Sequence, residues 1–107
     1  MATIYDFLKL ELKIVKVLEA TRMEGSDKLL KLVVTIGDEK RQILSGIGKS
    51  YTPADLIGKE LVAITNLESR MMMGEESQAM ILATGEDLEH ITLISPINEV
   101  DAGSLIK

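Results

Sequence analysis

A chain of 107 residues, 46% of them hydrophobic, is the size of one domain around one core and too short for most multidomain enzymes. It has no Cys, no Trp, one Phe and two Tyr, which excludes disulfides, thiolate chemistry and cysteine-based metal sites, and leaves an aliphatic core with no surface of aromatic rings for stacking bases. The net charge of −5, from 17 acidic and 12 basic side chains, opposes a partner made of phosphates when taken as an average.

Met1 to Leu12 holds Asp6 and Glu11 among its apolar residues and lacks a basic run followed by a long apolar one, so no signal peptide is expected. No stretch approaches the ~20 apolar residues of a membrane span, and a cytoplasmic chain without membrane contact is the expectation. Leu8, Leu10, Leu12 and Ile14 then alternate with Lys9, Glu11 and Lys13, the period of a half-buried strand. A helix that happens to alternate is the competing reading, and a short helical turn fits Ala2 to Phe7. The apolar phase next moves by one residue, to Val15 and Val17, which turns side chains to the other face unless a bulge absorbs the step.

Gly25-Ser26-Asp27 breaks this pattern, Leu29 to Ile36 is rich in apolar and β-branched residues, and Gly37-Asp38-Glu39 is a turn before a third strand at Arg41 to Ile47. Thr52-Pro53-Ala54-Asp55-Leu56-Ile57-Gly58 has an N-cap, a Pro at the first helical position, an acid three residues after the cap and a terminating Gly, and so predicts one short helix. Glu60 to Thr65 and Ala79 to Thr84 are two further strands, separated by the methionine-rich segment Asn66 to Gln78. Ile91 to Ser95 is a sixth strand, and Pro96 starts an extended tail.

Three strands, a short helix and two strands is the order of an all-β, five-stranded Greek-key barrel with one helix between strands three and four. A β-sandwich is the other architecture. Such barrels bind oligomers along one face, and the segment between strands four and five falls where this barrel carries one of its two binding loops. Its length exceeds an ordinary hairpin connection, as functional loops often do.

No enzyme chemistry assembles from the sequence. His90 is the single His, so it has no histidine partner for a metal, and it reads as surface decoration. Gly48-Lys49-Ser50 superficially ends like a phosphate-binding loop, but the Gly required five residues before Gly48 is Ile43. Glu75 and Glu76, like Glu86 and Asp87, are adjacent and do not face each other as a catalytic pair. A binding module without catalytic residues, cofactor or metal is favoured.

Asp27-Lys28-Leu29-Leu30, Arg41-Gln42-Ile43-Leu44-Ser45-Gly46-Ile47, Tyr51-Thr52-Pro53, Asn66-Leu67, and Gly74-Glu75-Glu76-Ser77-Gln78-Ala79-Met80 with Leu82-Ala83 carry a resemblance. In this order and at these spacings, over residues 8 to 107, they resemble the tRNA-binding domain found at the C-terminus of methionyl-tRNA synthetases, as a separate beta subunit, or as a stand-alone tRNA-binding protein. The resemblance implies a single OB-fold domain over 1–107, with its barrel at about 8–84. It implies structure-selective tRNA binding without aminoacylation chemistry, and a homodimer joined through residues 1–7 and 85–107. An aminoacyl-tRNA synthetase catalytic chain is the implied protein partner.

Carried over to this sequence, Lys28 and Arg41 would neutralise phosphates, and Ser45 and Asn66 would hydrogen-bond the RNA backbone or 2′-hydroxyls. Ser77 and Met80 would line the face beneath the loop. Bland readings compete: solvated charges for Lys28 and Arg41, a backbone-bonded hydroxyl for Ser45, a turn residue for Asn66 and a core residue for Met80. Where the family carries a basic loop, this chain has Arg70 as the loop's one cation, against Glu68, Glu75 and Glu76, beside Met71, Met72 and Met73. Adjacent methionines make a flexible apolar surface, which suits an alternative: a dimeric peptide- or protein-binding module resembling the export-related chaperone branch of the same superfamily. The acidity is also segregated. Residues 13–49 hold eight cations against five anions, a net of +3, and the rest of the chain is net −8, so a phosphate-binding face on the first three strands is permitted.

Overall fold

The structure, a computed structural model, describes residues 1–107. Its elements are α1 (Ile4–Leu8), β1 (Leu12–Arg22), β2 (Leu30–Ile36), β3 (Glu39–Ser45), α2 (Pro53–Leu56), β4 (Glu60–Ile64), β5 (Arg70–Met72), β6 (Glu75–Ser77), β7 (Met80–Ile81), β8 (Ala83–Thr84) and β9 (Thr92–Leu93). The main sheet is antiparallel in the order β3-β2-β1-β4-β7, and its curl encloses Val15, Val17, Leu30, Leu32, Val34, Ile43, Leu56 and Leu61. The expected all-β, five-stranded architecture is present, with α2 as its short helix between the third and fourth long strands. No helix is long and apolar enough to cross a membrane.

The first strand begins later than its alternation predicts. Thr3 and Asp6 cap each other's backbone N–H groups, at 2.9 and 3.4 Å, and this reciprocal cap holds Ile4–Leu8 helical. Leu8 and Leu10 are thereby left exposed ahead of β1. The step in apolar phase is not absorbed by a bulge at that point. β1 pairs with β4 in unbroken register from Leu12↔Ile64 to Lys16↔Glu60, and the irregularity against β2 lies further on, between Val17 and Glu19. Both faces of β1 are buried instead. Val15 and Val17 face the barrel interior, while Leu12 and Ile14 pack outside it with Val62, Ile64, Phe7, Leu82 and Ile106.

The tail supplies that outer layer. Gly103 N–H donates to the Ile14 carbonyl at 2.7 Å, Ile14 N–H to the Ser104 carbonyl at 2.9 Å, and Ile106 N–H to the Leu12 carbonyl at 2.8 Å. Residues 103–106 thus take up β1 backbone groups where β2 does not pair. Gly103 is needed there, because a Cβ would stand 2.8 Å from the backbone nitrogen of Gly37 in the β2–β3 turn.

The barrel closes between β3 and the segment at β6 and β7 through a seam, not a regular ladder. Gln78 N–H donates to the Gln42 carbonyl at 2.8 Å, and Gln42 Nε2 donates to the Glu76 carbonyl at 3.0 Å. Leu44 N–H donates to Ser77 Oγ at 3.0 Å. The segment Asn66 to Gln78, expected as a long loop, contains a two-stranded hairpin, with Arg70↔Ser77, Met71↔Glu76 and Met72↔Glu75 in register. Its turn is Met73-Gly74, with φ of 51° and 81°, the left-handed pair that matches strand twist in a two-residue hairpin. The last expected strand of the barrel, Ala79 to Thr84, is divided into β7, which joins the main sheet, and β8, which pairs with β9.

Candidate nucleic-acid interface

Two connections rise on either side of the end of β3: residues 23–29 between β1 and β2, and the β5–β6 hairpin. The first is built by Ser26, whose Oγ accepts from the N–H groups of Lys28 (3.3 Å) and Leu29 (3.0 Å), while Met23 N–H donates to the Leu29 carbonyl at 3.0 Å. This tight turn leaves the Lys28 side chain exposed. It is anchored from below, since Gly48 N–H donates to the Lys28 carbonyl at 2.6 Å and the Gly48 carbonyl accepts from Arg22 Nη1 at 2.9 Å. A Cβ on Gly48 would lie 2.7 Å from the Lys28 carbonyl oxygen. Gly48 therefore serves close backbone approach, not a phosphate loop.

The hairpin is held on its inner side by Met72, which packs against Met23, Leu29 and Leu44. Alternation then turns Met71 and Met73 outward, 65% and 54% exposed. Between hairpin and β3 lies a groove of about 210 Å³, lined by the apolar Leu44, Leu67, Met72, Ala79 and Met80 together with Ser45, Gly46, Arg70 and Ser77. Ser45 and Gly46 also line an adjoining, more open groove of about 470 Å³ that runs on to Thr84, Gly85 and Ile91. The two form one continuous track.

The seven residues suggested by sequence reading divide by what already occupies them. Arg41 is engaged within the chain: its guanidinium meets the carbonyls of Thr65 and Gln78 and the carboxylate of Glu39, and its side chain is 23% exposed. Asn66 is engaged at both ends of its amide, donating to the Lys9 carbonyl at 2.8 Å and accepting Glu11 N–H at 2.7 Å. Ser77 is buried, with its hydroxyl in the closing seam against Leu44 and Ala79. These three act on the fold. Lys28 and Arg70 have no acidic partner; Ser45 and Met80 line the groove, Met80 being 48% exposed and not a core residue. The structure brings Ser45, Arg70, Ser77 and Met80 into the lining of one groove, stands Lys28 beside it against Gly46, and leaves Arg41 and Asn66 outside that lining.

Gln42 and Gln78 were missed in the sequence, because their part in the seam joins positions 36 apart. Three other basic side chains of residues 13–49 are neutralised locally, Lys13 by Glu11, Lys31 by Glu75 at 3.2 Å, and Lys49 by Asp27 and Glu89, whereas Lys16, Arg22 and Lys40, like Lys28, have no acidic partner. Pairing Lys31 to Glu75 also ties β2 to the hairpin and removes one of the hairpin's negative charges from the track. Behind the site, the Thr65 hydroxyl lies 2.8 Å from Glu11 Oε1. That hydrogen bond, then the bond and charge of Lys13, hold the Glu11 carboxyl below its ordinary value. His90 is exposed with Nδ1 2.6 Å from Asp87, and no three His, Asp or Glu side chains converge as a metal site.

A family model described as "Putative tRNA binding domain" matches residues 12–105. The chain is 50% identical over 101 residues to the methionine–tRNA ligase of Methanococcus aeolicus, a match covering 94% of this chain and 15% of that protein. It is 44% identical over 104 residues to that of Caldanaerobacter subterraneus, covering 97% of this chain and 16% of that protein. The chain thus spans about a sixth of these relatives. Among solved structures, a MetRS related protein from Pyrococcus horikoshii superposes with a TM-score of 0.93 at 30% identity, covering 100% of this chain and 98% of that one. The chaperone CsaA from Bacillus anthracis superposes with a TM-score of 0.92 at 30% identity, covering 100% and 99%.

Proposed function

The chain belongs to the tRNA-binding domain family, and on that premise we propose that it binds folded tRNA as a non-catalytic accessory, at the track between the 23–29 turn and the β5–β6 hairpin. The observation that carries this is the placing of Arg70 in the lining of a concave track and of Lys28 beside it, both cations without acidic partners, with the free Ser45 hydroxyl in the same lining. Phosphates lie across such a track and fix its register, while the hydroxyl meets the sugar or backbone. Recognition by shape suits folded RNA, whose deep grooves hide base edges. Arg41, Asn66 and Ser77 support the reading as residues that hold the walls in place.

The protein works as a homodimer and serves an aminoacyl-tRNA synthetase catalytic chain by raising the local concentration of tRNA. Exposed Ile4, Tyr5 and Leu8 on α1, with Ile97 and Leu105 in the tail, support the dimer as a covering for apolar surface. Gel shifts of unmodified tRNA at low salt with micromolar protein test the central reading; absence of any shifted species contradicts it.

The second reading is a module that holds apolar peptide. It is favoured by the outward Met71 and Met73 and by the likeness to the chaperone CsaA. The two are separated by titrating the same sample with tRNA and with a leucine- and methionine-rich peptide: the tRNA reading predicts that only RNA perturbs the resonances of residues 23–29 and 70–77.

A further inference from the structure

We propose that the groove between β3 and the β5–β6 hairpin takes one unstacked nucleobase of the bound RNA, held between thioether and aliphatic side chains in place of aromatic rings. The inference rests on the tRNA-binding reading and adds a base site to it. The chain has almost no aromatic residues to stack on a base, yet the groove is lined by the apolar side chains of Leu44, Leu67, Met72, Ala79 and Met80. Polarisable sulfur makes favourable contacts with aromatic rings. Its volume, about 210 Å³, equals roughly seven waters at their liquid share, which is room for a purine.

Three further features point to a nucleotide. Arg70 in the groove lining and Lys28, whose Cδ lies 4.0 Å from where a Cβ on Gly46 would sit, carry charge without acidic partners. Phosphates on either side of an inserted base would meet them. Ser45, half-buried in the same lining, supplies one hydroxyl able to donate to or accept from a base edge. Unstacked bases occur in the loops and ends of folded RNA, where recognition of single bases concentrates.

The test is methyl NMR of the full chain carrying carbon-13-methyl methionine, titrated with unfractionated tRNA and, separately, with inorganic polyphosphate. Six methionines give six probes. A base in the groove moves the Met72 and Met80 methyls upfield by ring current and leaves Met1 in place; polyphosphate, which has no rings, produces no upfield shift. Gly46→Leu is the matching variant. Gly46 lines the groove, and a Cβ there meets nothing closer than Lys28 Cδ at 4.0 Å, so a larger apolar side chain narrows the groove without altering charge. It is expected to abolish the upfield shifts and weaken tRNA binding roughly two- to tenfold, the weight of a sulfur–aromatic contact. Wild-type protein that binds tRNA while both methyls stay in place overturns the base site alone, as does polyphosphate giving the same shifts. So does a leucine- and methionine-rich peptide that displaces tRNA from the groove. Wild-type protein that binds no tRNA overturns the function itself.

Discussion

Asn66 and Lys28 both read as RNA ligands in the sequence, and what separates them is how much of each side chain's bonding capacity the chain itself consumes. The Asn66 amide is spent on Lys9 and Glu11, fixing the end of α1 to the end of β4. Asn66→Ala is therefore expected to cost about 1 kcal/mol of stability in urea unfolding, because it removes two exposed hydrogen bonds that join distant segments, and to leave tRNA affinity nearly unchanged. Lys28→Ala and Arg70→Ala should do the reverse: stability within ~0.5 kcal/mol of wild type, and weaker binding across tRNA sequences alike, with the slope of log K against log salt falling by about one for each. Spacing shows residue type but not partners, so the sequence placed these residues in one group, and only the long-range contacts of Asn66 and Arg41 separate them.

Glu11 carries a pH prediction at the same scale. Its folded pKa is lowered, chiefly by the Thr65 hydroxyl and then by Lys13, so its contribution to stability is present above the ordinary carboxylate pKa and is lost as pH falls through the lowered folded value. Carboxyl chemical shifts should report Glu11 titrating below ordinary glutamates, and Thr65→Val should raise it toward them. An unchanged Glu11 titration in that variant would assign the shift to Lys13 instead.

Among the elements, legibility followed local periodicity. Leu30, Leu32, Val34 and Ile36 alternate strictly and are buried in that phase, and Thr52 to Gly58 forms its helix with Asp55 accepting from both the Thr52 N–H and hydroxyl. The β5–β6 hairpin was not legible, because each strand has three residues and its turn is Met73-Gly74, without the Asn-Gly or Asp-Gly signal. The apolar step from Ile14 to Val15 was legible as an event but not as its cause: it marks a strand buried on both faces, the second one covered by a tail about ninety residues away in the chain. Gly48 gives this scale its prediction. Gly48→Ala places a Cβ 2.7 Å from the Lys28 carbonyl, and should destabilise the fold by about 1–3 kcal/mol, as forced overpacking does, while displacing the turn that presents Lys28. Gly46→Ala, with nothing nearer than 4.0 Å, should unfold near the wild-type midpoint.

For the molecule as a whole, the charge of −5 describes no one surface. The basic stretch at residues 13–49 is thinned by local pairing of Lys13, Lys31, Arg41 and Lys49, and of its four remaining cations Lys28 stands beside the track that Arg70 lines, so affinity should rest on a small number of phosphate contacts per protomer. The proposed homodimer would double that number on one tRNA and cover the apolar ends. Ile97→Asp with Leu8→Asp is expected to halve the mass seen by light scattering and to weaken tRNA binding while leaving the monomer folded. The central claim, a phosphate-reading track on an acidic protein, is tested most directly by isotherms of tRNA binding across a series of salt concentrations, for wild type and the Lys28→Ala, Arg70→Ala double variant. The account predicts that log K falls linearly with log salt for the wild type, because bound phosphates release counterions, and falls less steeply for the variant. Binding that ignores salt, or a slope identical in the two proteins, would contradict it.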